Sequence, residues 1–144
     1  MKLGRYEEAL RIERDVYSGW LKLEGRENQR TLTTANNYAD SLLSLRRFEE
    51  AKSLMLEMLP VALRALGEGH RLTLKMRLNY AQTLFADTAA TLDDLREAVS
   101  TLEDTTRTAW QVFGGAHPLT ESIEGALQNA RAALRARETP PTSA

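Results

Sequence analysis

The sequence predicts an all-α fold, an antiparallel helix-pair solenoid of about six helices. Apolar residues recur at spacings of three and four between short polar turns, which is the pattern of amphipathic helices. Segments also repeat at a shift of 42 residues and again at a shift of 47, and such a period is typical of helical repeat arrays. The identical pairs at the first shift include Arg5/Arg47, Ala9/Ala51, Gly25/Gly67, Thr31/Thr73, Asn37/Asn79, Tyr38/Tyr80, Ala39/Ala81 and Leu42/Leu84.

The composition limits the classes of partner. The 144 residues are 42% apolar, which is enough for a core, and 19 basic residues balance 20 acidic ones. A nucleic-acid surface would need a clustered basic excess, and no apolar run approaches the roughly 20 residues of a membrane helix. The chain has no cysteine, which removes disulfides and thiolate metal sites. Without an apolar leader at its start, we expect a soluble cytoplasmic protein that binds neither nucleic acid nor membrane.

The first predicted helix covers 5–24 and begins the helical repeat domain predicted for 1–137. Its apolar residues form one stripe at helical spacing, and Gly25 is suited to a left-handed cap at its end. The stripe consists of Ala9, Ile12, Val16, Trp20 and Leu23.

Two helix pairs follow, at 29–66 and 71–113. Asn28 is expected to cap the first pair, and the residues LRRF form its internal turn. Pro60 lies within an apolar stripe that continues past it, so we expect a kinked helix and not two helices. Asp93 and Asp94 open the last helix of the second pair, after an insertion of about five residues that we expect to lengthen the turn.

The chain is expected to finish with a terminal capping helix at 118–137 and a disordered tail at 138–144. Pro118 suits the first turn of that helix. The tail is polar and rich in proline, a composition that does not build a core.

The repeated motifs resemble tetratricopeptide repeats, in particular the long, 42-residue repeats of kinesin light chains. The residues that carry the resemblance are Leu3-Gly4-Arg5-Tyr6-Glu7-Glu8-Ala9, Leu66-Gly67-Glu68-Gly69-His70, Gly114-Gly115-Ala116-His117-Pro118 and Thr31-Leu32-Thr33-Thr34-Ala35-Asn36-Asn37-Tyr38-Ala39. The resemblance covers about 3–137 and implies a superhelix whose concave groove is lined by the first helix of each pair.

The chain departs from the family pattern at both ends. It opens on the second helix of a repeat, which suggests a fragment or a first helix that packs elsewhere. The last helix carries Gln128 where Ala39 and Ala81 stand in the earlier repeats, and terminal repeats are often atypical because one side faces water.

No constellation of residues predicts catalysis or a cofactor. Serines and histidines are few, no glycine-rich phosphate loop occurs, and most of the glycines fall at predicted helix ends. His70 and His117 occupy equivalent links without the further ligands that a metal site requires, so each is expected to cap the helix that follows. We therefore predict no enzyme activity, no metal and no cofactor.

Asn37 and Asn79 are the most informative polar pair. Asparagine is a poor helix former, yet it recurs mid-helix at one phase. Each asparagine lies one residue before a tyrosine expected to be buried, so we expect its side chain to point away from the core. The resemblance implies that such asparagines bond to the backbone of a bound peptide. The alternative is that they are solvated or bond within the repeat. The predicted peptide-binding groove comprises Thr33, Asn36, Asn37, Asp40, Lys75, Asn79 and Gln82.

The predicted function is a protein–protein interaction module that binds a peptide or a partner helix in its concave groove. The alternative is a structural segment that packs within a larger scaffold or self-associates through the unpaired N-terminal helix, with no free ligand. An apolar surface left open on that helix distinguishes the two.

Overall fold

The computed structural model describes residues 2–139, and side chains from Gly4 onward. This part of the chain folds into six α-helices and contains no strand, which confirms the predicted all-α class. The helices are α1 (Lys2–Glu24), α2 (Gln29–Ser44), α3 (Phe48–Leu66), α4 (Arg71–Phe85), α5 (Leu92–Phe113) and α6 (Pro118–Glu138).

The helices are stacked as antiparallel pairs in two layers. Each helix packs against the next one in the chain, and links of three to six residues connect them. In addition, α2 contacts α4 and α4 contacts α6, whereas in the described part of the chain no Cα of α1 lies within 8 Å of α3, nor any of α3 within 8 Å of α5. The layer α2–α4–α6 is therefore the more closely spaced, concave side of a curved stack.

The caps explain where the helices begin and end. Asn28 accepts a bond from Arg30 N at 2.8 Å, as predicted. His70 Nδ1 and His117 Nδ1 accept from Leu72 N and Leu119 N, both at 3.1 Å, so the histidines cap the first helix of each following pair. The same three links begin with a glycine at positive φ, where a side chain would be strained; these glycines are Gly25, Gly67 and Gly114.

Small residues allow the layers to approach closely. Ala39 and Ala81 on the concave layer, and Ala51 and Ala98 on the outer layer, are completely buried. A larger side chain at these positions would force the helix axes apart. The repeated alanines therefore set the spacing of each pair.

The apolar stripe predicted on α1 is largely uncovered. Leu10 and Tyr17 are the buried residues of this helix, whereas Ile12, Val16 and Leu23 are exposed. The sequence predicted an unpaired helix at this end, and α1 contacts only α2 among the described residues. One side of its apolar surface is consequently left open.

The other sequence expectations differ in detail. Helix α3 is continuous through Pro60, as predicted. The insertion is divided between the link 86–91 and an extra first turn of α5, which begins at Leu92 in a capping box of Thr91 and Asp94. Arg137 donates to Ala90 O at 2.6 Å across this link. Helix α6 includes Glu138, and the rest of the predicted tail beyond residue 139 lies outside the described residues.

Candidate binding groove

The concave layer presents its side chains in rows that cross the three helices. Residues at the same repeat position lie side by side because α2, α4 and α6 are stacked in register. Two rows are polar and one is apolar. They are Thr33–Lys75–Ser122, Asp40–Gln82–Asn129 and Leu43–Phe85, each related by the shifts of 42 and 47 residues.

Between the polar rows lies a buried seam that joins α2 to α4. Asn79 Nδ2 donates to Asn36 Oδ1 at 2.6 Å, and both residues are only 6% exposed. The expectation that Asn79 points away from the core is therefore wrong. That expectation assumed that a helix buries only the side facing its paired helix. The contact between the successive concave helices α2 and α4 also buries residues. The alternative of a bond inside the fold accounts for Asn79.

Asn37 occupies the same repeat position as Asn79 but is exposed. In α4, this repeat position faces the preceding concave helix, α2. Helix α2 is the first concave helix of the described chain, so no helix covers the same position on α2. Thr33 is also exposed, although its hydroxyl donates to Gln29 O at 2.9 Å within the helix. The same residue type at one repeat position thus has two environments.

Asp40 is the acidic group of the concave surface. Partial removal of water by the surrounding helices raises the pKa of its carboxyl, while the Asn79 amide and the Lys75 ammonium favour the ionised form and oppose the rise. The net effect is that ionised Asp40 is less favourable in the folded chain than in water. The groove therefore keeps a charge that folding alone does not favour.

A pocket of about 510 Å³ opens at the carboxyl ends of α2 and α4, beside α6. Its surface combines apolar and polar groups, from Leu43, Arg46, Phe48, Gln82, Phe85, Ala86, Ser122, Gly125, Ala126 and Asn129. Gly125 stands at the repeat position of Asn36, and a Cβ built on it would meet nothing within 4 Å. The missing side chain on α6 therefore opens this part of the groove.

Arg46 borders the pocket in an unfavourable backbone conformation. Its φ is 57°, and among residues 2–139 no other residue except glycine has a positive φ. Arg46 N donates to Leu43 O at 3.0 Å and Arg47 N to Leu42 O at 2.8 Å, which is the helix-ending motif that usually employs glycine. The guanidinium lies 5.1 Å from the centre of the Phe48 ring, a distance typical of a cation–π contact.

The sequence argument found part of this surface. Of the predicted residues, Gln82 lines the pocket, Asp40 lies in the same row, and Thr33 and Lys75 form the other polar row. Asn36 and Asn79 are withdrawn into the seam. Ser122, Gly125 and Asn129 were missed. The shift of 47 carries the predicted Lys75 and Gln82 onto Ser122 and Asn129, and the two shifts together carry Asn36 onto Gly125. Arg46 was assigned only to a turn.

The described residues hold no group of three or more histidine, aspartate or glutamate side chains placed to bind a metal ion. Between residues 2 and 139, no helix is both long and apolar enough to span a bilayer.

Comparison with known proteins gives a match to one family model. Residues 31–72, from α2 to the start of α4, match the family model of the tetratricopeptide repeat. No curated protein matches the chain. Repeats of this family typically form scaffolds that mediate contacts between proteins and do not catalyse reactions. The match covers 42 of the 144 residues, and the helices before and after it continue the same stacked arrangement.

Proposed function

We propose that the concave groove holds a short extended segment of a partner protein. The observation that carries this proposal is the pocket at Gly125, which three successive concave helices surround. Apolar surface from Leu43 and Phe85 suits one apolar side chain of the segment, and the Gln82 and Asn129 amides offer a donor and an acceptor to its backbone. The repeats are proposed to be of the long, kinesin-light-chain-like form, since the caps Asn28 and His70 are 42 residues apart.

Arg46 indicates the chemistry of the segment. A left-handed backbone costs a residue other than glycine roughly 1–2 kcal/mol, and such strain is concentrated at functional sites. A glycine would end α2 at lower cost, but it would remove the guanidinium from the pocket rim. We therefore propose that the segment carries a carboxylate one or two residues from its apolar anchor and that Arg46 binds this group.

The test selects peptides from a random phage-displayed library on the immobilised chain and measures their affinity for three variants. Gly125→Leu fills the pocket from an open helical position, so binding should be lost while the melting temperature stays the same or rises. Arg46→Gly should weaken binding about 10- to 100-fold, the equivalent of a charged hydrogen bond, and should not reduce stability. Gly4→Leu is the control, since Gly4 is a second helical glycine at which an added Cβ would meet nothing within 4 Å.

Selected peptides that bind Gly125→Leu as tightly as the original chain would refute the groove. Peptides that lose binding to Gly125→Leu but not to Arg46→Gly would keep the groove and reject the acidic segment.

The alternative function, a structural segment without a free ligand, is favoured by a separate observation: the open apolar side of α1. That surface lies on the first outer-layer helix and not in the groove, so packing against α1 leaves the groove accessible.

A further inference from the structure

The two ends of the helix stack differ in chemistry. At the first end, the surface consists of α1 and the free side of α2. At the other end, it consists of the free side of α6. Each end can be compared with the interior of the stack because the repeat shifts identify the equivalent interior residues.

The free side of α1 has the apolar character of a buried surface. Ile12 and Val16 are 54% and 40% exposed, whereas their equivalents in α3, Leu54 and Met58, are 8% and 0% exposed. Both α1 and α3 contact the helix that follows them, but only α3 also contacts a helix that precedes it, α2. The difference in exposure therefore indicates a site beside α1 that no helix of the described residues fills. It is equivalent to the site that α2 fills beside α3.

The adjacent edge of α2 carries a matching polar group. Asn79 of α4 donates to Asn36 of the preceding concave helix. Asn37, its equivalent, is exposed on the corresponding edge of α2. A helix placed against α1 would run along this edge, and an amide or other acceptor at the position of Asn36 would bond to Asn37.

Charge gives a third, independent match. In the interior, Glu57 of α3 accepts from Arg26 at 2.8 Å and Arg64 lies 3.6 Å from Glu27, so two charges just before α2 are held by two charges on α3. The equivalent residues of α1 are Asp15 and Lys22, which keep the same signs at the same spacing. Asp15 is largely exposed, with its neighbour Arg14 at 3.8 Å.

The opposite end is closed to such packing. Leu74, Ala81 and Leu84 form the fully buried side of α4. The equivalent residues of α6 are Glu121, Gln128 and Arg131, and Arg131 donates to Glu103 of α5 at 3.0 Å. A polar outer side is what a terminal cap of a repeat array requires. The first end, with its apolar side open, is not capped in this way.

We propose that the edge formed by α1 and α2 binds an amphipathic α-helix of a partner protein. We expect one side of this partner helix to carry the apolar pattern that α2 buries inside the stack, Leu-x-x-Ala-x-x-x-Ala-x-x-Leu. In α2 this pattern consists of Leu32, Ala35, Ala39 and Leu42. It also carries an acceptor amide facing Asn37 and a basic–acidic pair before its first turn, facing Asp15 and Lys22. A second copy of the chain does not supply this helix, because α2 and α4 already bury that side and α6 carries polar residues there.

The probe is a synthetic peptide of residues 24–46, which contains α2 and the charges before it. It is titrated into the ¹⁵N-labelled chain up to millimolar concentration, because an isolated helix of this length is only marginally formed. The control peptide covers 115–138, which contains α6 and its polar side. The α2 peptide should shift the amide signals of α1 and of the Asn37 edge, and the α6 peptide should not.

Variants locate the binding site. Ile12→Asp and Val16→Asp should each weaken binding at least about tenfold, as expected from the loss of one buried aliphatic side chain, without lowering the melting temperature. Leu56→Asp is the matched control, because Leu56 is equally exposed on the outer side of α3 and should bind normally. Gly125→Leu should also bind normally, which separates this surface from the proposed groove.

Absence of shifts at α1 up to millimolar peptide, or equal binding by Ile12→Asp and Val16→Asp, overturns the proposal. So does a dimer of the chain in sedimentation that Val16→Asp dissociates, since a second copy would then be the occupant.

Discussion

At the scale of single residues, repetition of the sequence does not mean repetition of the environment. Asn37 and Asn79 are identical in type and in repeat position, but only Asn79 has a concave helix on the side where its amide points. The exposure of each side chain thus depends on its place in the stack. The sequence could identify the repeated position, and only the neighbours could assign its role.

This difference predicts opposite results for the same substitution. Asn79→Ala should lower the free energy of unfolding by about 1–3 kcal/mol, because it leaves the buried Asn36 amide without its partner. Asn37→Ala should change it by less than about 0.5 kcal/mol, as is usual at an exposed position. Urea denaturation of both variants measures the difference. Equal effects would mean that the seam bond contributes nothing to folding.

Asp40 predicts a dependence on pH. Since burial raises the pKa of its carboxyl above the ordinary value near 3.9, the folded chain binds more protons than the unfolded chain between the two pKa values. The contribution of this residue to stability therefore falls as the pH rises through that window. Asp40→Asn should accordingly have a higher melting temperature than the original chain at pH 7, and the gain should disappear below about pH 3. A gain that stays constant with pH would assign the effect to something other than the charge.

At the scale of helices, prediction from the apolar pattern was most accurate for helices that have a neighbouring helix on both sides. It predicted that the helix containing Pro60 is continuous, and the repeat shift paired Ala39 with Ala81, which are both completely buried. In α1, Ile12 and Val16 have the spacing of core residues without the neighbour that would bury them. Periodicity reports which side of a helix is apolar, but it does not report whether another helix covers that side.

The close contact of α4 with its partner helix predicts a cost for a larger side chain. Ala81→Leu should overpack the pair and lower the free energy of unfolding by about 1–3 kcal/mol. Gln128→Leu is the matched control, because Gln128 has the same repeat position but lies on the exposed side of α6, so its effect should remain within about 0.5 kcal/mol. An unchanged melting temperature for Ala81→Leu would contradict the helix-pair packing at this site.

At the scale of the whole molecule, stability is not evenly distributed. In a linear stack each helix is held mainly by its immediate neighbours. Within the described residues α4 contacts four helices, α2, α3, α5 and α6, whereas α1 contacts only α2. The ends also differ from each other, because α6 contacts both α5 and α4 and exposes a polar side.

Amide hydrogen exchange should therefore decrease from the first end of the stack toward α4. Opening α1 breaks one helix interface and newly exposes chiefly Leu10 and Tyr17, because Ile12 and Val16 already face water. Opening α6 breaks two interfaces, so α6 should exchange more slowly than α1 although it is also terminal. Exchange followed by mass spectrometry on peptic fragments measures the order, which should be α1 fastest, α6 intermediate and α4 slowest. Protection of α1 equal to that of α4 would show that α1 is held by more than its contact with α2.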